Sequence, residues 1–210
     1  MTISDIIREV SLAVGEEYLS LGTEPHQVAY GNAQIRSCAK HALMWLARNA
    51  PLWALDGSDE AGDPGFLVSS GVTKSGNKLT LPGGYVRLSR VRVDGWHRAI
   101  SEPLDEASDE YLMLSDGTAE ASLDRPQAAI INGNPKTLEV FPDGNSYEIV
   151  MVCVPSNSIT QLSSASVSTA VPIPPKLRGA FIYYTAYLVL ASDGDSRASA
   201  MLETAKGMLG

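Results

Sequence analysis

The residues best able to bind a metal or move a proton are His26, His41 and His97, and their spacing gives them no shared task. There is no His-Glu-x-x-His pair of imidazoles on a helix and no Cys-x-x-Cys, so the usual zinc arrangements are absent from the sequence. A Gly-x-Ser-x-Gly nucleophile elbow and a phosphate-cradling Gly-x-x-x-x-Gly-Lys are also absent. The stretch Asp193-Gly194-Asp195-Ser196-Arg197 starts like a calcium loop. It then places Arg197 at the fifth position, Ala198 where the sharp turn needs glycine, and Thr204 where a bidentate glutamate should close the shell. Cys38 and Cys153 lie far apart, one in a helical pattern and one in an apolar strand pattern, and read as two reduced, buried thiols. No residue is therefore assigned a catalytic, cofactor-binding or metal-binding role.

Two charged concentrations remain. Glu102, Asp105, Glu106, Asp109 and Glu110 recur at helical spacings, so on a helix several would share a face. They could form a cation site or an acidic docking face, but a solvated helix surface is the preferred reading. Lining a DNA channel, such a face would repel phosphates and keep them from sticking. An enzyme would need a pocket raising the pKa of carboxylates such as Asp105 and Asp109. The basic concentration is Arg87, Arg90, Arg92 and Arg98. Only Tyr85 and Trp96 flank it, too few aromatics for a stacking platform for nucleic acid. Salt bridges to carboxylates within or between chains fit it better.

The elements that would carry these groups fall into three parts: 1–55, 56–160 and 161–210. In the first, Thr2 can cap a helix with Ile3, Ile7, Val10 and Val14 as its stripe. Gly22 and Pro25 interrupt the pattern. A longer helix from Pro25 or His26 carries Ile35, Cys38, Ala39, Ala42 and Leu46 on one face and ends at Pro51. Trp45 and Trp53, near its end, read as core or interface anchors. The middle part is β-rich. Residues 56–65 read as a loop, and a hairpin turns at Ser75-Gly76-Asn77. In "YVRLSRVRVDGW" apolar residues alternate with arginines, with a one-residue slip near Ser89 that reads as a bulge. Residues 128–155 hold three more strands, with Pro142 and Pro155 marking where pairing stops. "LEVFPDGNSYEIV" reads as a hairpin at one corner of a compact antiparallel sheet or sandwich. In the last part, a Ser- and Thr-rich stretch before Pro172 reads as an extended connector. Pro174-Pro175 opens a helix with Leu177, Phe181, Tyr184 and Leu188 as its stripe. A final helix carries Ala198, Met201, Leu202, Ala205 and Leu209. The expected fold is α+β, with N- and C-terminal helices packed together and a central β insertion.

Composition bounds the possible functions. The 210 residues carry 16 Lys and Arg against 24 Asp and Glu, a net charge of −8. That surplus of carboxylates opposes general binding to nucleic-acid phosphates. The hydrophobic fraction of 44% is enough for a real core. The start "MTISDIIREV" lacks the basic and apolar regions of a signal peptide. The longest apolar run, "AFIYYTAYLVLA", is shorter than the roughly 20 residues of a membrane span. The expectation is a soluble chain made in the cytoplasm.

The order of parts resembles the head–tail connector (adaptor, or ring) proteins of tailed bacteriophages. The likeness rests on Leu81-Pro82 followed by Tyr85, Arg90 and Val91, on Leu138-x-Val140-x-Pro142 ahead of Tyr147–Val152, and on the proline-led helix Pro175–Ala191. Gly83-Gly84 departs from the acidic residue or phenylalanine usual after Leu-Pro in that family. The resemblance implies a structural virion protein with no catalytic residues. It implies a ring homo-oligomer, usually a dodecamer, docked beneath the portal protein at the head–tail junction. The ring would contact a downstream tail or ring protein, and DNA would pass through its channel without specific binding. A cytoplasmic ligand- or carbohydrate-binding β-domain with helical flanks is the alternative.

Overall fold

The structure, a computed structural model, describes residues 1–15, 25–57, 65–164 and 166–210; of residues 25–30 and 164 it describes the backbone alone. Gly22 and most of the 56–65 loop lie outside the described residues. The protein is α+β and divides into two compact units, Met1–Phe66 with Val154–Gly210, and Leu67–Cys153.

The first unit is helical. Helix α1, Ile3–Val14, begins at Thr2 because two orphan backbone donors are satisfied reciprocally there. Thr2 Oγ1 accepts from the Asp5 amide at 3.1 Å, and Asp5 Oδ2 accepts from the Thr2 amide at 3.0 Å. Its buried residues are Ile3, Ile6, Val10 and Val14. Ile7 of the expected stripe is only half-buried, and Ile6 takes its place. Ile6 and Ile7 flank the stripe on either side, and the neighbouring helix decides which of them it covers.

Helix α2, Pro25–Asn49, buries Ile35, Ala39, Ala42, Leu43 and Leu46. Cys38 lies at the margin of that face and is half-buried, not buried as expected. Pro51 then separates α2 from the single-turn helix α3, Leu52–Leu55.

The Ser/Thr-rich stretch corrects the expectation of an extended connector: Ser156–Ser164 form helix α5, which packs on α2. Ser158 and Leu162, four residues apart, are both fully buried. Thr160 and Ser163 hydroxyls bond the carbonyls of Ser156 and Ile159 one turn back, so the polar side chains serve the helix they were expected to disfavour.

A 3-10 turn at Pro175–Leu177 opens α6, Arg178–Ser192, which packs against α1, α2 and α7, Ala198–Gly207. Contact on several sides buries Ala180, Phe181, Ile182, Thr185, Ala186, Val189 and Leu190. The single expected stripe is thereby corrected: Leu177 and Phe181 are buried, whereas Tyr184 and Leu188 are half-buried. A helix covered on more than one side has no single apolar face to read. Tyr184 stacks on Trp45 at 3.9 Å between centroids. On α7, Ala198 and Ala205 are buried and Met201 and Leu202 half-buried, while Leu209 of the expected stripe lies past the helix end, in a turn. A side chain at Gly179 would meet Met208 Sδ at 2.9 Å, which shows how closely the chain end lies on α6.

The second unit is a sandwich of two sheets. Strands β1 (Leu67–Val68), β8 (Tyr147–Cys153) and β4 (Tyr85–Val93) form one, in the order β1-β8-β4. The other has the order β2-β3-β7-β6-β5, from Thr73–Ser75, Lys78–Thr80, Thr137–Phe141, Gln127–Ile131 and Leu104–Asp105. Its β5–β6 pair is parallel, and all other pairs are antiparallel. Leu79, Ala128, Leu138 and Val140 from this sheet share one core with Leu88, Val91, Val93, Ile149, Met151 and Cys153 from the other. The expected turn is present, with Gly76 at φ +57° at its tip. Leu67 and Val68, however, pair with β8 and not within that hairpin.

The structure also corrects the hairpin reading of 138–153. β7 and β8 belong to different sheets, and the chain changes sheets between Pro142 and Ser146. β7 pairs with β3 and β6 instead. The periodicity of each strand was legible, but adjacency in sequence does not decide the partner. Trp96, fully buried, donates from its indole nitrogen to the Pro142 carbonyl at 2.9 Å, anchoring this crossing to the core.

Candidate functional site

The sandwich leaves two outward faces, and each carries one of the charged concentrations. On β4 the core-facing residues are Tyr85, Leu88, Val91 and Val93, opposite Cys153, Met151, Ile149 and Tyr147. The outward pairs are Arg87 with Val152, Arg90 with Val150, and Arg92 with Glu148. Arg87 and Arg90 are three residues apart and would face opposite ways on a regular strand. The register shift between Leu88 and Arg90, at the predicted slip, puts them on the same face. Burial lowers the pKa of half-buried Arg87. Arg90 and Arg92 are exposed. Arg92 Nε donates to the Trp96 carbonyl at 3.1 Å.

On the other sheet Leu138 and Val140 point to the core, so Glu139 between them points outward. It is nevertheless buried, at 6% exposure. The covering element is helix α4, Asp109–Ser115, capped by Ser108, whose hydroxyl accepts from the Tyr111 amide. The Tyr111 hydroxyl donates to Glu139 Oε2 at 2.9 Å, and Lys78 Nζ lies 2.7 Å from Glu139 Oε1. Burial, followed by the bond to the Glu139 carboxylate, pushes the Tyr111 phenol up to about 12. Lys78 thus supplies the opposite charge and Tyr111 a hydrogen bond to the buried carboxylate, as a buried charge requires. This trio was missed in the sequence because it depends on the Lys78–Glu139 register. The signal available was a glutamate alternating with apolar residues in "LEVF".

The acidic stretch does not form one helical face, which corrects the expectation. Leu104–Asp105 is strand β5, and only Asp109 and Glu110 lie on α4. Asp105 and Asp109 are both exposed, and Asp105 Oδ1 accepts from the Ala107 amide. Glu106 Oε2 accepts from the Asn132 amide at 2.9 Å. α4 itself buries no residue and exposes Leu112 and Met113 by 50% and 52%. In the helical unit, Trp53 is 60% exposed, with Lys176 Nζ 5.7 Å from its ring centroid.

The remaining candidates stay apart. The His26 side chain lies outside the described residues, His41 is exposed, and exposed His97 pairs with Asp124 at 2.5 Å. The calcium-like loop is closed by its own cation: Arg197 Nη2 lies 2.7 Å from Asp195 Oδ2. That side-chain bond holds the Asp195 carboxyl down at about 2. Burial raises the Cys38 and Cys153 thiols, the latter to about 11, so neither favours the reactive thiolate. Among the described residues no group of three His, Cys, Asp or Glu could hold a metal, and no helix is long and apolar enough to cross a membrane.

Two clefts among the described residues bear on a ligand-binding reading. One, of about 390 Å³, is lined by Asn32, Arg36 and Lys40 of α2 and Leu162 and Ser163 of α5. The other, of about 260 Å³, is lined by Pro82–Tyr85 and Gly133–Lys136. The second is smaller than the usual 300–1,000 Å³ ligand pocket, and although Ser37, Ser163 and Lys40 line the first, no hydrogen bond is found between either serine and the lysine among the described residues. No protein-family model matches the chain, and no curated protein matches it.

Proposed function

We propose that this chain is a structural virion protein, the subunit of a ring that docks beneath the portal of a tailed bacteriophage, joins head to tail and continues the DNA channel. On this reading it performs no catalysis, works as a homo-oligomer of about twelve copies, and touches the portal on one side and a tail component on the other. The observation that carries it is the exposure of Trp53, Leu112 and Met113, each half or more open to solvent. Large apolar side chains left open on both units fit a protein completed by assembly. The resemblance of the connector-like stretches to phage adaptors names the assembly. An acidic net charge of −8 suits a channel wall that must not hold DNA.

The chain alone is expected to be largely monomeric in dilute solution, because identical subunits at −8 repel until contacts on a template offset that repulsion. Particle imaging of the chain mixed with its portal tests the proposal. Closed rings on the portal are expected. A chain that stays monomeric and does not bind the portal would overturn the proposal and leave the ligand-binding alternative, with the cleft beside Tyr85 as its place to look.

A further inference from the structure

We propose that neighbouring copies join through opposite faces of the sandwich, the acidic α4 face of one copy seated on the arginine face of the next. The pairing rests on the ring reading for its closure and copy number, but the contact itself follows from the second unit.

Arg87, Arg90 and Arg92 project from the outer side of the three-stranded sheet, because their neighbours Leu88, Val91 and Val93 fill the core. α4 lies on the outer side of the five-stranded sheet, because Tyr111 bonds outward-pointing Glu139. The two charged surfaces are therefore on opposite sides of one sandwich and cannot neutralise each other within a chain. Between Arg98 and Arg125 the sequence holds eight carboxylates and no Lys or Arg. Among the described residues, Glu102, Asp109, Glu110 and Glu120 have no ion-pair partner, and neither do Arg90 and Arg98.

Leu112 and Met113 stand exposed beside these carboxylates and add apolar area that a partner would cover. Contact between two copies of the same face would set acid against acid or arginine against arginine, which repel. The complementary contact is heterologous, one face on a different face, which is the kind that closes rings.

The test is cross-linking of the full chain at about 1 mM, where weak contacts are populated. Arg90→Cys and Glu110→Cys are placed together in one chain and treated with a short bis-maleimide, with the unsubstituted chain as background for Cys38 and Cys153. A ladder of dimers, trimers and higher species is expected. Each single-cysteine chain alone should give no ladder, and an equal mixture of the two should stop at dimers. Adding Arg92→Glu or Asp109→Lys to the double-cysteine chain should lower the yield at least about fivefold. Adding both should restore it to within about twofold. No ladder above background, or dimers from Arg90→Cys alone, would overturn the proposal, as would a yield indifferent to the charge reversals. Rings on the portal without a ladder would sink this interface and leave the proposed function standing. A ladder that forms only open filaments and never rings would do the reverse.

Discussion

The two units carry equal shares of the chain's 24 carboxylates and 16 Lys and Arg, 12 and 8 each, and different kinds of element bring these charges together. In the helical unit, ion pairs between near neighbours include Arg8 with Asp5, Arg197 with Asp195, and Lys206 with Glu203. In the sandwich they join distant residues: Lys74 with Asp143, and Lys78 with Glu139. Helix geometry brings Asp5 to Arg8 and Glu203 to Lys206, three residues apart, and the turn before α7 brings Asp195 to Arg197, whereas a sheet brings together whatever its register aligns. Helix α6 and helix α4 show the same contrast in packing. α6 buries seven residues against neighbours on several sides, while α4 buries none and is tied down through Tyr111. The helical unit is thus held mainly by its core. The outer surface of the sandwich is held by specific polar contacts and leaves charge to spare.

The sharpest way to break this contrast is to cut into α6. Phe181→Ala should cost about 3–5 kcal/mol in urea unfolding, the range for a fully buried phenylalanine. A cost near 1 kcal/mol would mean that α6 is not the hub of its unit. Removing residues 195–210 strips α7 from α6, and at roughly 2–4 °C per kcal/mol for a chain of this length the melting temperature should fall by about 5–10 °C. An unchanged melting temperature with portal binding lost would instead make α7 an outward docking element.

For the sandwich, Tyr111→Phe leaves buried Glu139 with Lys78 alone and should cost about 1–2 kcal/mol at neutral pH. The same variant probes the alkaline limb. The phenol is raised to about 12 in the folded protein, so its contribution is complete below pH 10 and is lost as the pH climbs from 10 to 12. Stability of the Phe variant should fall less steeply over that window, and an identical slope would remove Tyr111 from the account. Tyr85, pushed to about 12 mainly by burial, shares the loss that remains with Cys153 and Tyr184, both also raised by burial.

Thr2→Ala removes one half of the capping box and should cost about 1 kcal/mol. The smallest effect belongs to the open faces. Leu112→Asp and Arg90→Glu should each change monomer stability by less than about 0.5 kcal/mol, as substitutions away from core and caps do. A larger loss at either site would show that the face supports its own fold and is not held in reserve for a partner.

Much of this architecture was legible in advance for physical reasons. The Thr2 cap, the stop at Pro51 and the slip at Ser89 are local events, fixed by neighbours in the chain, and they occur where the sequence placed them. The errors share one cause. Ile6 replaces Ile7, α6 buries more than one stripe, and the Ser-rich connector coils into α5 because packing partners chose the face or stabilised the helix. The acidic stretch was misread because its carboxylate spacing fits a helix equally well whether or not Leu104–Asp105 pairs with β6. As for the candidate site, both charged concentrations were visible as composition, but their placement on opposite faces was not.

The sequence by itself determined the α+β class, the helical ends around a β-rich middle, and the positions of caps, breaks and the bulge. Each follows from dihedral preference, hydrogen bonding or periodicity acting over a few residues. Tertiary structure alone decided that β7 and β8 part into different sheets, that Glu139 lies buried between Tyr111 and Lys78, and that the β4 arginines and the α4 carboxylates look out from opposite sides of one core. Those outcomes depend on pairings between distant residues. Such pairings are set by which register buries the most apolar surface for the whole unit, and no short window of sequence contains that sum.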